Sequence, residues 1–197
     1  MKKLLFLLLV LTYTTNVIAS DNSQEYYKQE LLDRGYLFGC APANWSLVEP
    51  IRGGFNYAIM KNRVDIMELE VKAGLNPVDC GKNAVNAAIM YKKSAPLDFL
   101  LKNGFSADTV GIDHSFLTFA IYRKNSDAVR ILIENGADVN MVAKGKHPLN
   151  SAIKKKQPEI VKMLIDAGAK PNDKTFELVK KSKSIEIKAI FEQAKLF

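Results

Sequence analysis

Apolar residues recur along most of the chain with a period of 30 to 32 residues. An Ala-Ile pair marks each period, and a glycine follows each of these alanines by sixteen positions. The pairs and their glycines are Ala58-Ile59 with Gly74, Ala88-Ile89 with Gly104, Ala120-Ile121 with Gly136, and Ala152-Ile153 with Gly168. Apolar residues also precede each glycine by three and by five positions. Several columns that keep one register over four units identify an internal repeat.

Each unit is predicted to form two helices joined by a short turn. Its apolar residues fall at spacings of three and four, which is the stripe of an amphipathic helix. The alanine column lets two helices approach closely, and the glycine accepts the positive φ that ends the second helix. Pro148 suits the first position of its helix, where a missing N–H has no cost. One such pair cannot bury its apolar face alone, so the units are predicted to stack.

The third and fourth units resemble the ankyrin repeat. Residues 147–152, His-Pro-Leu-Asn-Ser-Ala, are similar to the family's T-P-L-H-x-A, and residues 131–140 are similar to its L-L-x-x-G-A-D-V-N ending. The resemblance is strong over residues 111–172, fair over 80–110 and degenerate over 53–79. It implies an all-α fold, an ankyrin-repeat solenoid of about four helix-turn-helix repeats with N- and C-terminal capping helices.

Two columns depart from the family's pattern. The family's histidine is replaced by Asn or Thr in every unit, which puts its usual hydrogen bonding between repeats in question without changing the fold. The family's glycine in the middle of the unit is replaced by Asn62, Lys92, Lys124 and Lys156. We expect strain at these lysines, because positive φ is unfavourable for residues other than glycine.

The first residues of the chain predict a signal peptide. Lys2 and Lys3 supply positive charge, Leu4 to Leu11 form an apolar run, and Val17-Ile18-Ala19 offers a cleavage site after Ala19, with cleavage after Ser20 as the alternative. The run is shorter than the ~20 residues of a spanning helix, so no stable membrane anchor is expected. We therefore expect a periplasmic or secreted protein.

These patterns predict the organisation of the whole chain. The predicted segments are a signal peptide at 1–19, an N-terminal capping helix and insertion loop at 20–52, a degenerate repeat 1 at 53–79, repeats 2, 3 and 4 at 80–110, 111–142 and 143–173, and C-terminal capping helices at 174–197.

Positive charge is concentrated near the C-terminus. Without Lys2 and Lys3 the chain carries a net charge of +5, made up of −2 over residues 20–140 and +7 over residues 141–197. An exported basic protein is expected to meet an acidic protein or anionic lipid head groups rather than nucleic acid. The partner predicted here is another protein with an acidic patch, bound by a monomer.

The sequence offers no catalytic, cofactor-binding or metal-binding pattern. No nucleotide-binding, nucleophile-elbow or zinc-protease motif occurs. His114 and His147 are the only histidines, and with two cysteines they are too few for a four-ligand zinc site without carboxylates. We therefore expect no enzyme, no cofactor and no metal.

Three further residues attract attention. Cys40 and Cys80 each adjoin a glycine in a predicted loop, and export permits a disulfide, but two buried free thiols fit the sequence equally well. Glu70 occupies a column that is otherwise leucine, where an unpaired buried carboxylate would be costly. We expect it to face the N-terminal insertion, near Arg34 or Arg52.

The ankyrin resemblance implies a partner-binding surface made of inner helices and finger tips. The residues that map to it are Tyr57, Met60, Met90, Tyr91, Ile112, Asp113, His114, Phe119, Tyr122, Arg123, Met141, Lys144, Lys146, Lys154 and Lys155. Aromatic and Met residues grouped with Arg have the composition of binding hot spots. The resemblance implies a protein-protein interaction module of the bacterial envelope, in its sharpest version an immunity protein that neutralises a secreted toxin. The alternative is an envelope scaffold or stress-related protein that supports a periplasmic enzyme.

Overall fold

The structure is a computed structural model that describes residues 23–36, 38–40, 54–111 and 113–196. The predicted signal peptide, Arg52, Ile112 and most of the predicted insertion loop lie outside these residues. The chain divides into two compact units, Met1–Cys80 (unit 1) and Gly81–Phe197 (unit 2).

Unit 1 contains three α-helices among its described residues. They are α1 (residues 23–33), α2 (Gly54–Met60) and α3 (Val64–Lys72), followed by a 3₁₀ turn at Pro77–Cys80. Helices α2 and α3 pack against each other as the helix pair of the degenerate repeat. The ammonium of Lys72 on α3 lies 5.7 Å from the ring centroid of Tyr27 on α1. Helix α1 therefore lies beside α3, as an outer helix of a partial first repeat would.

The described residues of unit 2 form four helix pairs. The pairs are α4 (Lys82–Met90) with α5 (Ser94–Lys102), α6 (Phe116–Tyr122) with α7 (Ser126–Glu134), α8 (Pro148–Lys154) with α9 (Pro158–Asp166), and α10 (Asp173–Lys181) with α11 (Ile185–Gln193). The first helices, here called inner, contact one another in the order α4, α6, α8, α10, and the second or outer helices stack in the order α5, α7, α9, α11. This all-helical stack is the predicted solenoid.

The repeat columns form the core of the stack. The alanines of the inner helices and the leucines of the outer helices are fully buried: Ala88, Ala120, Ala152, Leu100, Leu132 and Leu164. Small residues on the inner helices allow close approach, while leucines fill the space between outer helices. Burying each leucine contributes roughly 1.5–3 kcal/mol, so most of the stability comes from these contacts between neighbours.

The inner helices α4, α6 and α8, and α2 in unit 1, each end at a left-handed residue that is not glycine. Lys92, Lys124 and Lys156 have φ of 54°, 50° and 55°, and Asn62 in unit 1 has 59°. The positive φ predicted from the family's glycine column is therefore confirmed. The following amide closes the turn, as where the N–H of Lys93 donates to the carbonyl of Ala88 at 2.8 Å. The outer helices end at Gly74, Gly104, Gly136 and Gly168, all with positive φ, as expected.

Side-chain amides connect successive repeats. The Asn125 Nδ2 donates to the carbonyl of Ile89 at 2.9 Å, and its Oδ1 accepts from the N–H of Ala128 at the start of α7. Gln157 Nε2 donates in the same way to the carbonyl of Ile121. Both acceptor carbonyls belong to the inner helix of the preceding repeat. These bonds link the repeats where the family's histidine is absent.

The C-terminal pair begins at Asp173, one residue before the predicted capping segment 174–197. Asn172 caps α10, because its Oδ1 accepts from the N–H of Thr175 while the Thr175 hydroxyl accepts from the N–H of Asn172. The hydroxyl of Thr175 also lies 2.6 Å from Asn150 Oδ1 on the preceding inner helix. The capping box and this contact together set where the terminal pair begins.

Cys40 and Cys80 form a disulfide within unit 1, with their Cα atoms 5.2 Å apart. The segment that ends at Cys40 also covers Glu70, whose Oε2 accepts from the N–H of Gly39 at 2.9 Å. Glu70 does face the insertion, but its partner is a backbone amide and not Arg34, which pairs with Glu30. An extended backbone segment can place an N–H closer to a buried carboxyl than a long charged side chain can reach without desolvation.

Candidate protein-binding surface

Tyr122 forms the centre of a cluster on the inner-helix side of unit 2. Its ring is 36% exposed and lies at the end of α6. The His114 ring centroid is 4.6 Å from that of Tyr122, and the Lys155 ammonium is also 4.6 Å from the Tyr122 centroid. The Lys146 ammonium lies 5.6 Å from the same centroid. We name the residues Asp113, His114, Phe119, Tyr122, Lys146 and Lys155 the Tyr122 cluster.

The position of Lys146 is set by two acceptors on the neighbouring finger loop. Its ammonium donates to the carbonyl of Asp113 at 2.8 Å and lies 3.1 Å from His114 Nδ1. An ammonium has no acceptor, so Nδ1 must accept this bond and His114 is neutral with its proton on Nε2. Burial of the ring, and then the charge of Lys146, lower the pKa of His114 below its usual range.

The repeat register brings His114 and Lys146 together. They occupy the same column, 32 residues apart, in two finger loops that follow α5 and α7 (residues 103–115 and 135–147). Each loop closes through an antiparallel bridge, Val110 with Ser115 in the first and Ala143 with Lys146 in the second. Equivalent residues of adjacent fingers are therefore neighbours in space.

Charge differs between the inner and outer helices of the first three pairs of unit 2. The inner helix of the fourth pair, α10, departs from this pattern, because Glu177 on it pairs with Lys174 at 2.9 Å. Residues 82–93, 115–125 and 147–157, which contain the inner helices α4, α6 and α8 and their turns, hold eight Lys or Arg and no Asp or Glu. The outer helices α5, α7 and α9 hold five acidic and three basic residues. Each of those three basic residues pairs with a carboxylate of its own helix, as Lys162 does with Asp166 at 2.8 Å. Among the described residues none of the eight inner cations has such a partner.

The helix macrodipole explains part of this difference in charge. Lys154 ends an inner helix, where a cation stabilises the helix by roughly 0.3–1 kcal/mol through the macrodipole. That preference accounts for cations at helix ends, but it does not account for the missing carboxylates. Three successive inner helices with cations alone raise the local positive potential and attract an acidic surface.

The structure brings some of the predicted surface residues together and separates others. Tyr57 and Met60 lie in unit 1, where Tyr57 is 6.2 Å from the Tyr36 ring and Lys61 lies over it. Ile112 lies outside the described residues. The other members lie in unit 2, some exposed and some half-buried: Met90, Tyr91, Asp113, His114, Phe119, Tyr122, Arg123, Met141, Lys144, Lys146, Lys154 and Lys155.

The sequence predicts both Lys154 and Lys155 as surface residues, and the structure places the ammonium of Lys155 over the Tyr122 ring. It also overlooked the remaining inner cations, Lys82, Lys92, Lys93, Lys124 and Lys156. These cations could have been found from the sequence, because the three equivalent segments that contain α4, α6 and α8 lack acidic residues. His114 and Lys146 were both predicted as finger-tip residues, and their contact follows from the shared column.

The described residues hold no cluster suited to metal chemistry. No group of three or more His, Cys, Asp or Glu among them is placed to hold a metal ion. His147 stands at the start of α8, where burial lowers its pKa and leaves its Nδ1 without a hydrogen bond. None of the described helices is long and apolar enough to cross a membrane.

Comparisons with known proteins concern the fold. Residues 97–175 match the family model described as ankyrin repeats in three copies. No curated protein matches the sequence. The fold is similar to the crystal structure of the ankyrin repeat domain of Bcl-3, a unique member of the IkappaB protein family, with a TM-score of 0.59 and 20% sequence identity. The match covers 70% of this chain and 66% of that chain, just under two thirds. At this identity the similarity shows the fold alone.

Proposed function

We propose, from the premise that this chain is an ankyrin-repeat protein, that it is a non-enzymatic module that binds an acidic protein through the inner-helix side of unit 2. The observation that supports this most directly is the difference in charge between α4, α6 and α8, whose cations have no carboxylate partner among the described residues, and α5, α7 and α9, whose cations are all paired. The Tyr122 cluster adds an aromatic anchor in the middle of those cations.

The two kinds of residue have different tasks in such an interface. The cations steer an acidic partner during encounter, which raises the association rate and makes it dependent on salt. Tyr122 offers a rigid aromatic ring that loses little conformational entropy on binding, which is the property of hot-spot residues. Lys146 and Lys155 already lie over this ring, so a partner carboxylate near Tyr122 would meet ammonium groups that need no reorganisation.

The finer proposal concerns the compartment and the partner. The leader pattern of residues 1–19 supports export, and an exported inhibitor that neutralises a secreted toxin is the sharpest version. An envelope scaffold that supports a periplasmic enzyme is the alternative. The two differ in what binding does, because an inhibitor abolishes the activity of its partner and a scaffold leaves it intact or raises it.

The experiment is affinity capture from the envelope and secreted fractions with wild-type protein and three variants. Tyr122→Ala is expected to weaken capture of the specific partner about 30-fold, the effect of a hot spot worth about 2 kcal/mol. Tyr122→Phe should retain the partner because the ring remains. Arg130→Ala is the matched control on the outer face, where Arg130 pairs with Asp127 and Glu134.

Partner capture that is unchanged with Tyr122→Ala would overturn the proposed surface, and so would capture that is lost with Arg130→Ala. An activity assay on the captured protein then separates inhibitor from scaffold.

A further inference from the structure

The polarity of the inner-helix side of unit 2 changes from one end of the stack to the other. Two equivalent columns end each inner helix, and the first contains Met90, Tyr122 and Lys154 from α4, α6 and α8. The second contains Tyr91, Arg123 and Lys155. Met90 and Tyr91 are adjacent in the sequence and are 40% and 45% exposed, so α4 presents both side chains to solvent at the same helix end. In these two columns the side chains are thus apolar at α4, mixed at α6 and cationic at α8, while the next column, Lys92, Lys124 and Lys156, supplies one cation to each of the three turns.

The tips of the finger loops follow the same direction. The turn between Val110 and Ser115, before α6, has Asp113 as its charged residue. The turn between Ala143 and Lys146, before α8, contains Lys144 and closes with Lys146. An acidic group would therefore be repelled at the first tip and attracted at the second.

We propose that this surface binds one extended segment of its partner, apolar where it crosses α4 and acidic where it crosses α8. This inference rests on the proposed function and specifies the chemistry of the partner. Met90 and Tyr91 bury the apolar end, Tyr122 contacts the middle, and Lys154 and Lys155 pair with the carboxylates. The exposed Asp113 disfavours placement of the acidic end away from α8. The gradient therefore sets which end of the segment lies at α4 and which lies at α8, for either chain direction.

The repeat spacing sets the length of the segment. Neighbouring inner helices pack roughly 8–10 Å apart, so the distance from α4 to α8 is about 20 Å. An extended chain advances ~3.3 Å per residue, and about six residues separate the apolar end from the acidic end. A segment in which the two kinds of residue alternate cannot satisfy both ends of the surface at once.

Two synthetic peptides of identical composition test the proposal on the exported chain. The first, Leu-Trp-Leu-Gly-Ser-Gly-Asp-Glu-Asp, separates the apolar and acidic ends, and its reversed sequence is measured alongside because side chains alone do not set chain direction. The second, Leu-Asp-Trp-Gly-Glu-Gly-Leu-Ser-Asp, intermixes them. We expect the better of the two segregated peptides to bind at least tenfold more tightly than the intermixed peptide, as measured by fluorescence anisotropy.

Variants at the two ends give a second, independent readout. Replacing Met90 and Tyr91 by serine should weaken binding of the segregated peptide with little change in its salt dependence. Lys154→Gln with Lys155→Gln should reduce the salt dependence itself. Equal binding of all peptides, no binding of any, or the same salt response in both variants would overturn the inference. The proposed function fails separately, if Tyr122→Ala leaves capture of the partner unchanged.

Discussion

Glu70 is a carboxyl group in a column that unit 2 fills with Leu100, Leu132 and Leu164. It is fully buried, and among the described residues its Oε1 has no hydrogen-bond partner while its Oε2 accepts from the N–H of Gly39. Burial raises the pKa of Glu70 to about 7, and the Gly39 bond offsets only part of that effect. The irregularity is visible in the sequence, but its partner is not, because Gly39 belongs to a segment outside the repeat.

The raised pKa of Glu70 predicts a pH-dependent stability. Folded protein binds the proton more tightly than unfolded protein, so the contribution is complete below pH ~4.5 and is lost as pH rises towards 7. The loss is about 3 kcal/mol, from the size of the pKa shift. Glu70→Gln removes this dependence, which urea unfolding at pH 4, 6 and 8 measures. A variant whose stability follows the wild-type pH profile would contradict the assignment.

Lys146 is predicted to lower the pKa of His114. Because its positive charge lowers the pKa of His114, Lys146→Met should raise that pKa, though not fully to its usual value, since burial is the larger cause. Titration of the imidazole signals by NMR measures the shift. Lys144→Met is the control, as Lys144 is exposed in the same turn and should leave the pKa unchanged. The lowered pKa also means that the folded state loses stability as pH falls below ~6.5.

The inner helices α4, α6 and α8 each end at a left-handed residue, a conformation for which glycine is the usual choice. A lysine in the left-handed region lowers the stability of the fold by about 1–2 kcal/mol. Lys92, Lys124 and Lys156 place such a residue in three successive repeats. The same three positions contribute cations to the inner-helix side of unit 2. We infer that the strain is kept because glycine would relieve it only by removing charge from the proposed binding surface.

Lys124→Gly should therefore stabilise the protein and weaken its binding. Glycine relieves the left-handed strain but increases the entropy of the unfolded chain, which leaves a net gain of about 0.5–1 kcal/mol. Lys124→Ala removes the same charge and keeps the strain, so it should give no such gain. Chemical denaturation of both variants checks the difference, and equal stability of the two would show that the strain is not significant.

At the scale of helices and turns the sequence was a good guide. The pairs, their glycine ends and Pro148 at the start of α8 follow from local chemistry that repeats every 30 to 32 residues. The start of α10 was placed too late, because its cap depends on the side chains of Asn172 and Thr175 and on the contact with Asn150. Contacts such as Lys155 on Tyr122 depend on side-chain direction, which periodicity does not specify.

The whole chain combines a repeat stack with a covalent link near its N-terminus. The disulfide encloses forty residues of unit 1 and none of unit 2. In a repeat protein each repeat is stabilised mainly by the repeats next to it, so a local loss of stability spreads over a short distance. The sequence left the oxidation state open because proximity of Cys40 and Cys80 depends on the path of the insertion.

Reduction of the disulfide should destabilise unit 1 selectively. Opening a loop of forty residues costs about 4 kcal/mol in the chain-entropy model. Hydrogen exchange in reductant should become faster in α1 to α3 and stay unchanged in α8 to α11. The double variant Cys40→Ser, Cys80→Ser should exchange alike with and without reductant. Hydrogen exchange that becomes equally faster in α8 and α9 would contradict the expectation that the effect is confined to unit 1.

The amide links of Asn125 and Gln157 give the stack a direction that matters while the chain is being made. Each donor lies in the later repeat and each acceptor carbonyl in the earlier one. Synthesis proceeds from the N-terminus, so the inner helix that holds the acceptor is made before the amide that bonds to it. Each of these two repeats therefore finds its acceptor already in place.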